Sequence, residues 1–338
     1  MRLGGLEILI YDMEMIYSPE KLINKKKDSI FVFLGGPIQG TTDWRSELPD
    51  IPGVTYINPK RKDLSDFNWD AQVEWETLGL RVSDIVLFWI PPMTEYDSSR
   101  DYAQTTRMEL LENLARGKNV ILGISPGIHA SRYMEYKYEY YTGKKAHSTI
   151  EACIEEIRNA TKPEHKRVYF TSDTHFSSDR ALELSKRPFR DVEDMDLSMI
   201  ERWNKVVKPW DVVYHLGDFG DFKWVDYLNG EIRFLPGNYE KDIDIKELDK
   251  YSFDVIYQYH EPVIYKDMLL GHEPCFVKSL ESLDKKFCLF GHIHGRQKVK
   301  DFGFDVGVDA NNFTPVSEEE VNFYREAIEK YYDKEVFI

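Results

Sequence analysis

The stretch VVYHLGDF at residues 212–219 sets the reading of the second half of the chain. Val212, Val213, Tyr214 and Leu216 make a short apolar run, and Gly217-Asp218 closes it. Such a run, stopped by glycine, is a buried strand ending in a tight loop that carries a carboxylate. The pattern recurs along the half-chain. Val168–Thr171 leads to Asp173 and His175, Glu231–Leu235 to Pro236-Gly237-Asn238, Met268–Leu270 to Gly271-His272, and Phe287–Phe290 to Gly291, His292 and His294. Strand C-termini are where open α/β sheets gather ligands, and glycine lets the backbone bend there. A lone histidine after a strand is ordinarily a surface or satisfied residue. Five such strand ends in one half-chain point to a metal centre instead.

A mixed shell of oxygen and nitrogen donors suits manganese, iron, zinc or nickel better than magnesium or calcium. The ordered series Asp173-Thr-His175, Gly217-Asp218, Gly237-Asn238, Gly271-His272 and Gly291-His292-Ile-His294 resembles the calcineurin-like metallophosphoesterase family over residues 167 to about 312. The flanking TSDTHF, WNKVV and FGHIHGR are similar to its small bacterial and phage members. That resemblance implies a four-layer α/β domain holding two divalent transition metals, manganese first among them. Asp173, His175 and His294 would bind one ion and Asn238, His272 and His292 the other, with Asp218 bridging. The chemistry implied is hydrolysis of a phosphate ester by in-line displacement. The third motif departs from the family: Gly237-Asn238-Tyr239-Glu240 has Tyr239 where a histidine usually protonates the leaving group or steadies the phosphate. Tyrosine is a weaker acid than histidine at neutral pH. The expectation is slower turnover, a substrate with a good leaving group, or another acid such as His215 or His260.

The first half alternates strands with helices. Ile30–Leu34 ends in Gly35-Gly36-Pro37, Val54–Ile57 is a second strand, Trp69–Arg81 a helix and Asp84–Ile90 a hydrophobic strand. Thr106–Arg116 is a helix closed by Gly117, Asn119–Gly123 a strand, and Ser148–Ala160 a last amphipathic helix before a linker at Thr161–Lys166. This order predicts a doubly wound, flavodoxin-like parallel sheet. Gly35, Gly36, Asp84 and Glu109 are the candidate site residues. On pattern alone Glu109 is a helix-surface carboxylate and Asp84 a strand cap. The order VFLGGPI, WDAQVEWE, SDIVLFWIPP and TTRMELLENLARGKNVILG over about residues 30–125 resembles the nucleoside 2-deoxyribosyltransferase-like family. Glu109, eight residues before Gly117-Lys118, matches the glutamate that attacks the anomeric carbon, and Asp84 matches an aspartate that contacts the nucleobase. Phe33 replaces the family's usual tyrosine, and Ala103, with Asp101 nearby, falls where an acidic residue is usual. Hydrolysis or nucleotide binding is therefore expected ahead of transfer.

Length and charge bound these readings. The 338 residues suggest two domains, expected at 28–161 and 167–338 after an extension at 1–27, which holds a candidate strand at Leu6–Tyr11 and a basic turn at Lys25–Lys27. A formal charge of −15 argues against broad contact with long nucleic acid and leaves room for a small nucleotide held through metal ions. Cys153, Cys275 and Cys288 are too few and scattered for a disulfide framework, and no apolar run spans a bilayer, so a cytoplasmic protein is expected. The tyrosine-rich Tyr133–Tyr141 reads as a half-buried helix or strand ahead of a base-stacking surface. The transferase-like resemblance implies self-association. The functional expectation is a bifunctional nucleotide-processing enzyme. Its rivals are a phosphodiesterase or nuclease with a non-catalytic recognition domain, and a metal-supported nucleotide sensor without turnover.

Overall fold

The computed structural model describes residues 14–22, 29–95, 102–161, 165–248, 250–251, 253–255, 263–274 and 287–333. Leu6–Tyr11, Lys25–Lys27, Asp101, His260 and Cys275 lie outside the described residues. The chain divides into two compact units, Met1–Lys162 and Pro163–Ile338.

The first unit is built on one parallel sheet. Its strands are β1 (Glu14–Tyr17), β2 (Ile30–Gly35), β3 (Val54–Asn58), β4 (Ile85–Ile90) and β5 (Val120–Ile124), in the order β1-β3-β2-β4-β5. Strands β2, β3, β4 and β5 are buried at every position, as expected of parallel strands covered on both faces. Helices α1 (Trp69–Val82), α2 (Gln104–Ala115), α3 (Arg132–Thr142) and α4 (Ile150–Ala160) complete the unit. Asn68 caps α1 by accepting the Ala71 N–H, and Thr149 caps α4 by accepting that of Ala152. Cys153, Ile154 and Ile157 form the buried stripe of α4. The tyrosine-rich segment is the helix α3, which buries Met134 and Tyr138 and leaves Tyr133, Tyr136, Tyr140 and Tyr141 exposed. Residues 14–17, assigned to an extension from the sequence, instead pair with β3 and supply the edge of the sheet. The strand order reverses at β2, which lies between β3 and β4. A crevice opens at such a switch point, outside the strand C-termini.

Among the described residues, the second unit contains two five-stranded sheets. One runs β15-β6-β7-β8-β9, from β6 (Val168–Thr171), β7 (Val212–His215), β8 (Glu231–Phe234), β9 (Phe253–Val255) and β15 (Val316–Ser317). The other runs β10-β11-β12-β14-β13, from β10 (Val263–Tyr265), β11 (Met268–Leu270), β12 (Phe287–Phe290), β13 (Val299–Lys300) and β14 (Gly303–Asp305). Alternation along the strands explains how they pack. Phe170, Val212, Tyr214 and Leu216 from the first sheet share one core cluster with Met268, Leu270, Leu289 and Phe304 from the second. Val321 and Ile328 of the last helix, α7 (Glu318–Tyr331), join that cluster. Tyr169 and His215 point the other way, to α6 (Val192–Val206): the Tyr169 hydroxyl donates to the Val206 carbonyl, and His215 stacks on Trp203. A short helix, α5 (Asp179–Leu184), precedes α6. Strand β14 stops at Asp305, and Val308 begins a turn of 3₁₀ helix.

Phe170 is fully buried and stacks on Tyr214 at 5.7 Å, with Tyr265 edge-on at 5.5 Å. Phe170→Ala should therefore lower the stability of the second unit by about 3–5 kcal/mol. Urea unfolding would measure this, and a wild-type midpoint would show that the two sheets do not depend on this contact.

Candidate functional site

The five strand-end loops of the second unit bring their polar side chains together. Donor atoms of Asp173, His175 and His294 lie within 4.8 Å of one another, and so do those of Asp218, His272 and His292. Asp218 joins the two groups: its Oδ2 is 3.5 Å from His175 Nε2 and 3.3 Å from His272 Nε2. Asn238 completes the set, its Oδ1 lying 2.9 Å from both His272 Nε2 and His292 Nδ1.

Space and strain are divided between glycines and ligands. A Cβ on Gly237 would stand 2.3 Å from Asp218 Oδ1, and one on Gly291 2.2 Å from Asp173 Oδ2. These two glycines let one loop lie against the carboxylate of another. The left-handed backbone is shared by Gly217 and Gly295 with the donor residues, since Asp173, His175, Asp218, His292 and His294 all have φ between 48° and 71°. Such conformations cost energy outside glycine and persist where the surroundings over-determine them. Backbone bonds lace the loops: Asp173 N–H donates to Gly217, His175 N–H to Asp218, and Gly291 N–H to His272. The Asp173 carboxylate also accepts the His292 N–H.

The donor set fits a pair of metal ions. His175 Nε2 is buried and has no hydrogen-bond partner among the described residues, an arrangement that is costly unless something binds there. Burial holds His175 down to about 4, so its ring is neutral at physiological pH, the form that ligates metal. Burial opposes the charged form of His272 as well, yet its hydrogen bond to Asp218 lifts it to about 9. An ion bound there must displace a proton. Its Nδ1 donates to the Leu216 carbonyl at 2.7 Å, which turns Nε2 towards the site. Burial also opposes ionisation of Asp218, but His272 and the Tyr239 N–H hold its carboxyl below the usual range.

Tyr239 is half-exposed and stands edge-on over the His175 ring at 4.8 Å. It is on the solvent-exposed side of His175. His215 does not serve as an alternative acid: it is fully buried on the far face of β7, bonded to Thr174 Oγ1 at 2.9 Å. Burial drives it down to about 3, which keeps it neutral.

Three supporting residues escape a reading of the sequence. Glu240 is buried and accepts from the N–H groups of Gly237, Asp218 and Phe219, so one carboxylate fixes two of the loops. Arg187 and Asp309 form a buried pair at 2.9 Å, and Asp309 Oδ2 contacts His294 Nδ1 at 2.8 Å. Glu240 sits inside a quoted motif, but nothing in the spacing reveals what its side chain reaches.

In the first unit, a cavity of about 1520 Å³ opens at the C-terminal ends of the strands. It is lined by Gly35 at the end of β2 and Gly36 after it, Gln72 and Glu76 of α1, and Glu109 of α2. Arg45, almost wholly buried, donates to the carbonyls of Leu34, Gly36 and Pro37 and so shapes the loop that follows β2. Gln72 Nε2 donates to Glu76 Oε1 at 2.8 Å, which orients that carboxylate. Glu109 is pushed up to about 7, by burial first and by the charge of Glu76 next, against the opposing pull of Arg45. Asp84 is elsewhere. It precedes the N-terminus of β4, at the opposite end of the sheet from the cavity, and its carboxylate accepts the Phe31 N–H at 2.7 Å. The expected nucleobase contact is thus replaced by a strand cap. Gln72 and Glu76 were legible only as one face of α1, four residues apart.

Residues 29–126 match the family model described as nucleoside 2-deoxyribosyltransferase like. The chain is 32% identical over 167 residues to the uncharacterized protein MJ1445 of Methanocaldococcus jannaschii, a match covering 45% of this chain and 87% of the archaeal protein. The chain belongs to the same family as that protein. It is also similar to a protein of unknown function, AQ665, from Aquifex aeolicus, whose crystal structure aligns at 27% identity and a TM-score of 0.39, covering 47% of this chain and 100% of the other. No helix among the described residues is long and apolar enough to cross a membrane.

Glu240→Gln tests the loop clamp. An amide has one acceptor oxygen where the carboxylate uses two, so a buried N–H is left unpaired at a cost of about 1–3 kcal/mol. Denaturant unfolding should show that loss, and Mn²⁺ affinity should fall with it. Unchanged values in both measurements would remove Glu240 from the site's support.

Proposed function

We propose that the chain is a two-centre nucleotide-processing enzyme, with phosphate-ester hydrolysis at the dinuclear site of the second unit. The observation that carries this reading is the convergence of seven donors from five loops into two groups sharing the Asp218 carboxylate. Asp173, His175 and His294 would hold one ion, Asn238, His272 and His292 the other, and Asp218 both, with manganese as the first choice and iron, zinc or nickel as alternatives. When bound, the ions would supply Lewis-acid charge to the phosphoryl oxygens and acidify a water. Asn238, half-buried beside the shared carboxylate, is placed to meet the phosphate as well as an ion. Tyr239 is on the solvent-exposed side of His175, so a leaving group that needs little protonation suits the site better than a simple alkoxide.

The first unit supports a second activity, cleavage of an N-glycosidic bond in a small nucleoside or nucleotide. Glu109 lines the cavity, and a carboxylate nucleophile at an anomeric carbon traps an oxocarbenium-like centre as a covalent intermediate that water can resolve. The family match over residues 29–126 favours the same substrate class.

Purified protein with Mn²⁺ should be incubated with nucleotides and cyclic dinucleotides and the products followed by mass. Asp218→Asn should lose phosphate release by a factor on the order of 10⁴ while retaining free-base release, and Glu109→Gln should do the reverse. Wild type that releases neither product would overturn both assignments. Glu109 must be ionised to attack, so free-base release should rise with pH through about 7 and level off above it. Glu76→Gln removes the adjacent like charge, which favours ionisation of Glu109 and should move that limb to lower pH. A limb that stays in place would exclude their coupling.

A further inference from the structure

We propose that the two halves of the dinuclear site are unequal by construction: the buried Arg187–Asp309 pair makes the Asp173–His175–His294 group the one that fills first and holds its ion longer. The inference rests on the dinuclear reading above and adds an order of occupancy to it.

The asymmetry lies in what stands behind each histidine. His294 Nδ1 meets the Asp309 carboxylate at 2.8 Å and Ser185 Oγ at 3.2 Å, which leaves Nε2 on the side of Asp173, 4.0 Å from its Oδ1. A carboxylate behind a ligating imidazole fixes its tautomer and orientation and strengthens it as a donor. Asp309 is itself held by the fork of Arg187, with Nε to Oδ1 and Nη2 to Oδ2 both at 2.9 Å. The Arg187 side chain is wholly buried, and it also donates to the carbonyl of Asp173 at 2.6 Å and that of Thr174 at 2.8 Å. One guanidinium thus braces the backbone that carries Asp173 and the carboxylate that aims His294. Those two ligands are separated by more than a hundred residues of chain.

The other group has weaker support. His272 is oriented by a neutral carbonyl, that of Leu216. The His292 ring is exposed, and its hydrogen-bond partner among the described residues is the neutral Asn238 side chain. Counted by charge, the first group has Asp173 for itself besides its share of Asp218, whereas the second has only that share. A divalent cation gains more where the donors are anionic and already fixed. Arg187 and Asp309 are therefore positioning residues that act through His294 and Asp173.

The test is Mn²⁺ binding to the full chain, by equilibrium dialysis with metal analysis and by electron paramagnetic resonance, which separates a lone ion from a coupled pair. Wild type should bind two ions with affinities at least about tenfold apart and show the lone-ion spectrum at one equivalent. Asp309→Asn should weaken the tighter site by about 10–100-fold and bring the coupled-pair spectrum to lower occupancy. Arg187→Lys keeps the charge, loses the fork, and should fall between the two. His272→Ala, which leaves the bracing network intact, should retain one tight ion with a lone-ion spectrum at every Mn²⁺ concentration. Two equal sites in wild type, or loss of the tight ion in His272→Ala, would overturn the proposed order. A wild-type chain that binds no Mn²⁺ would instead overturn the dinuclear reading on which the order rests.

Discussion

The buried Glu240 carboxylate, accepting the N–H groups of Gly237, Asp218 and Phe219, shows what the second unit has to accomplish. Seven donors arrive on five separate loops, and each loop end must stop within a few ångströms of the others. Local propensity cannot do this, because the loops follow strands of two different sheets. Cross-loop bonds do it: Asp173 to Gly217, His175 to Asp218 and Gly291 to His272 along the backbone, with Glu240 and Arg187 adding charged braces. The five left-handed ligand residues would each cost about 1–3 kcal/mol in isolation. They persist because every neighbouring loop is already committed by several bonds, and the strands behind them are buried in the shared core of the two sheets.

What was legible in the sequence follows from this division of labour. The clustered donor side chains could be read because each follows an apolar run directly, and the positions of β6, β7, β11 and β12 follow from those runs. Arg187, Asp309 and Ser185 could not be read, because they stand after no strand and their value lies in contacts across the fold. Glycine was expected to supply the bends. Gly237 and Gly291 supply clearance instead, and the left-handed turns fall on the donor residues as well as on Gly217 and Gly295. The short edge strands β1, β10, β13 and β15 carry too few residues to show a period, and α7 is defined by the core it covers.

The first unit teaches a similar lesson through Asp84. An aspartate opening a buried strand is consistent with a ligand contact or with a cap, and only the sheet direction separates the two. With β2 and β4 parallel, the Gly35-Gly36 loop and Asp84 lie at opposite ends of the sheet, so they cannot share one small ligand. Glu109 meets the opposite outcome. Its place within α2 resembles an ordinary surface position, yet the helix turns it into the cavity beside Glu76 and within the field of Arg45.

Charge supplies the last constraint. A chain with a formal charge of −15 repels phosphate at long range, and each candidate centre contains carboxylates. The two centres meet this difficulty differently. In the first unit, burial and the mutual repulsion of Glu76 and Glu109 lift the pKa of Glu109, so part of its negative charge is removed by protonation near neutral pH, with Arg45 offsetting what remains. In the second, hydrogen bonds and neighbouring histidines keep Asp218 and Asp309 ionised, so protonation does not neutralise them. A cluster that keeps Asp218 and Asp309 ionised and turns its imidazole nitrogens inward is arranged as a cation site would be, with these carboxylates spared protonation.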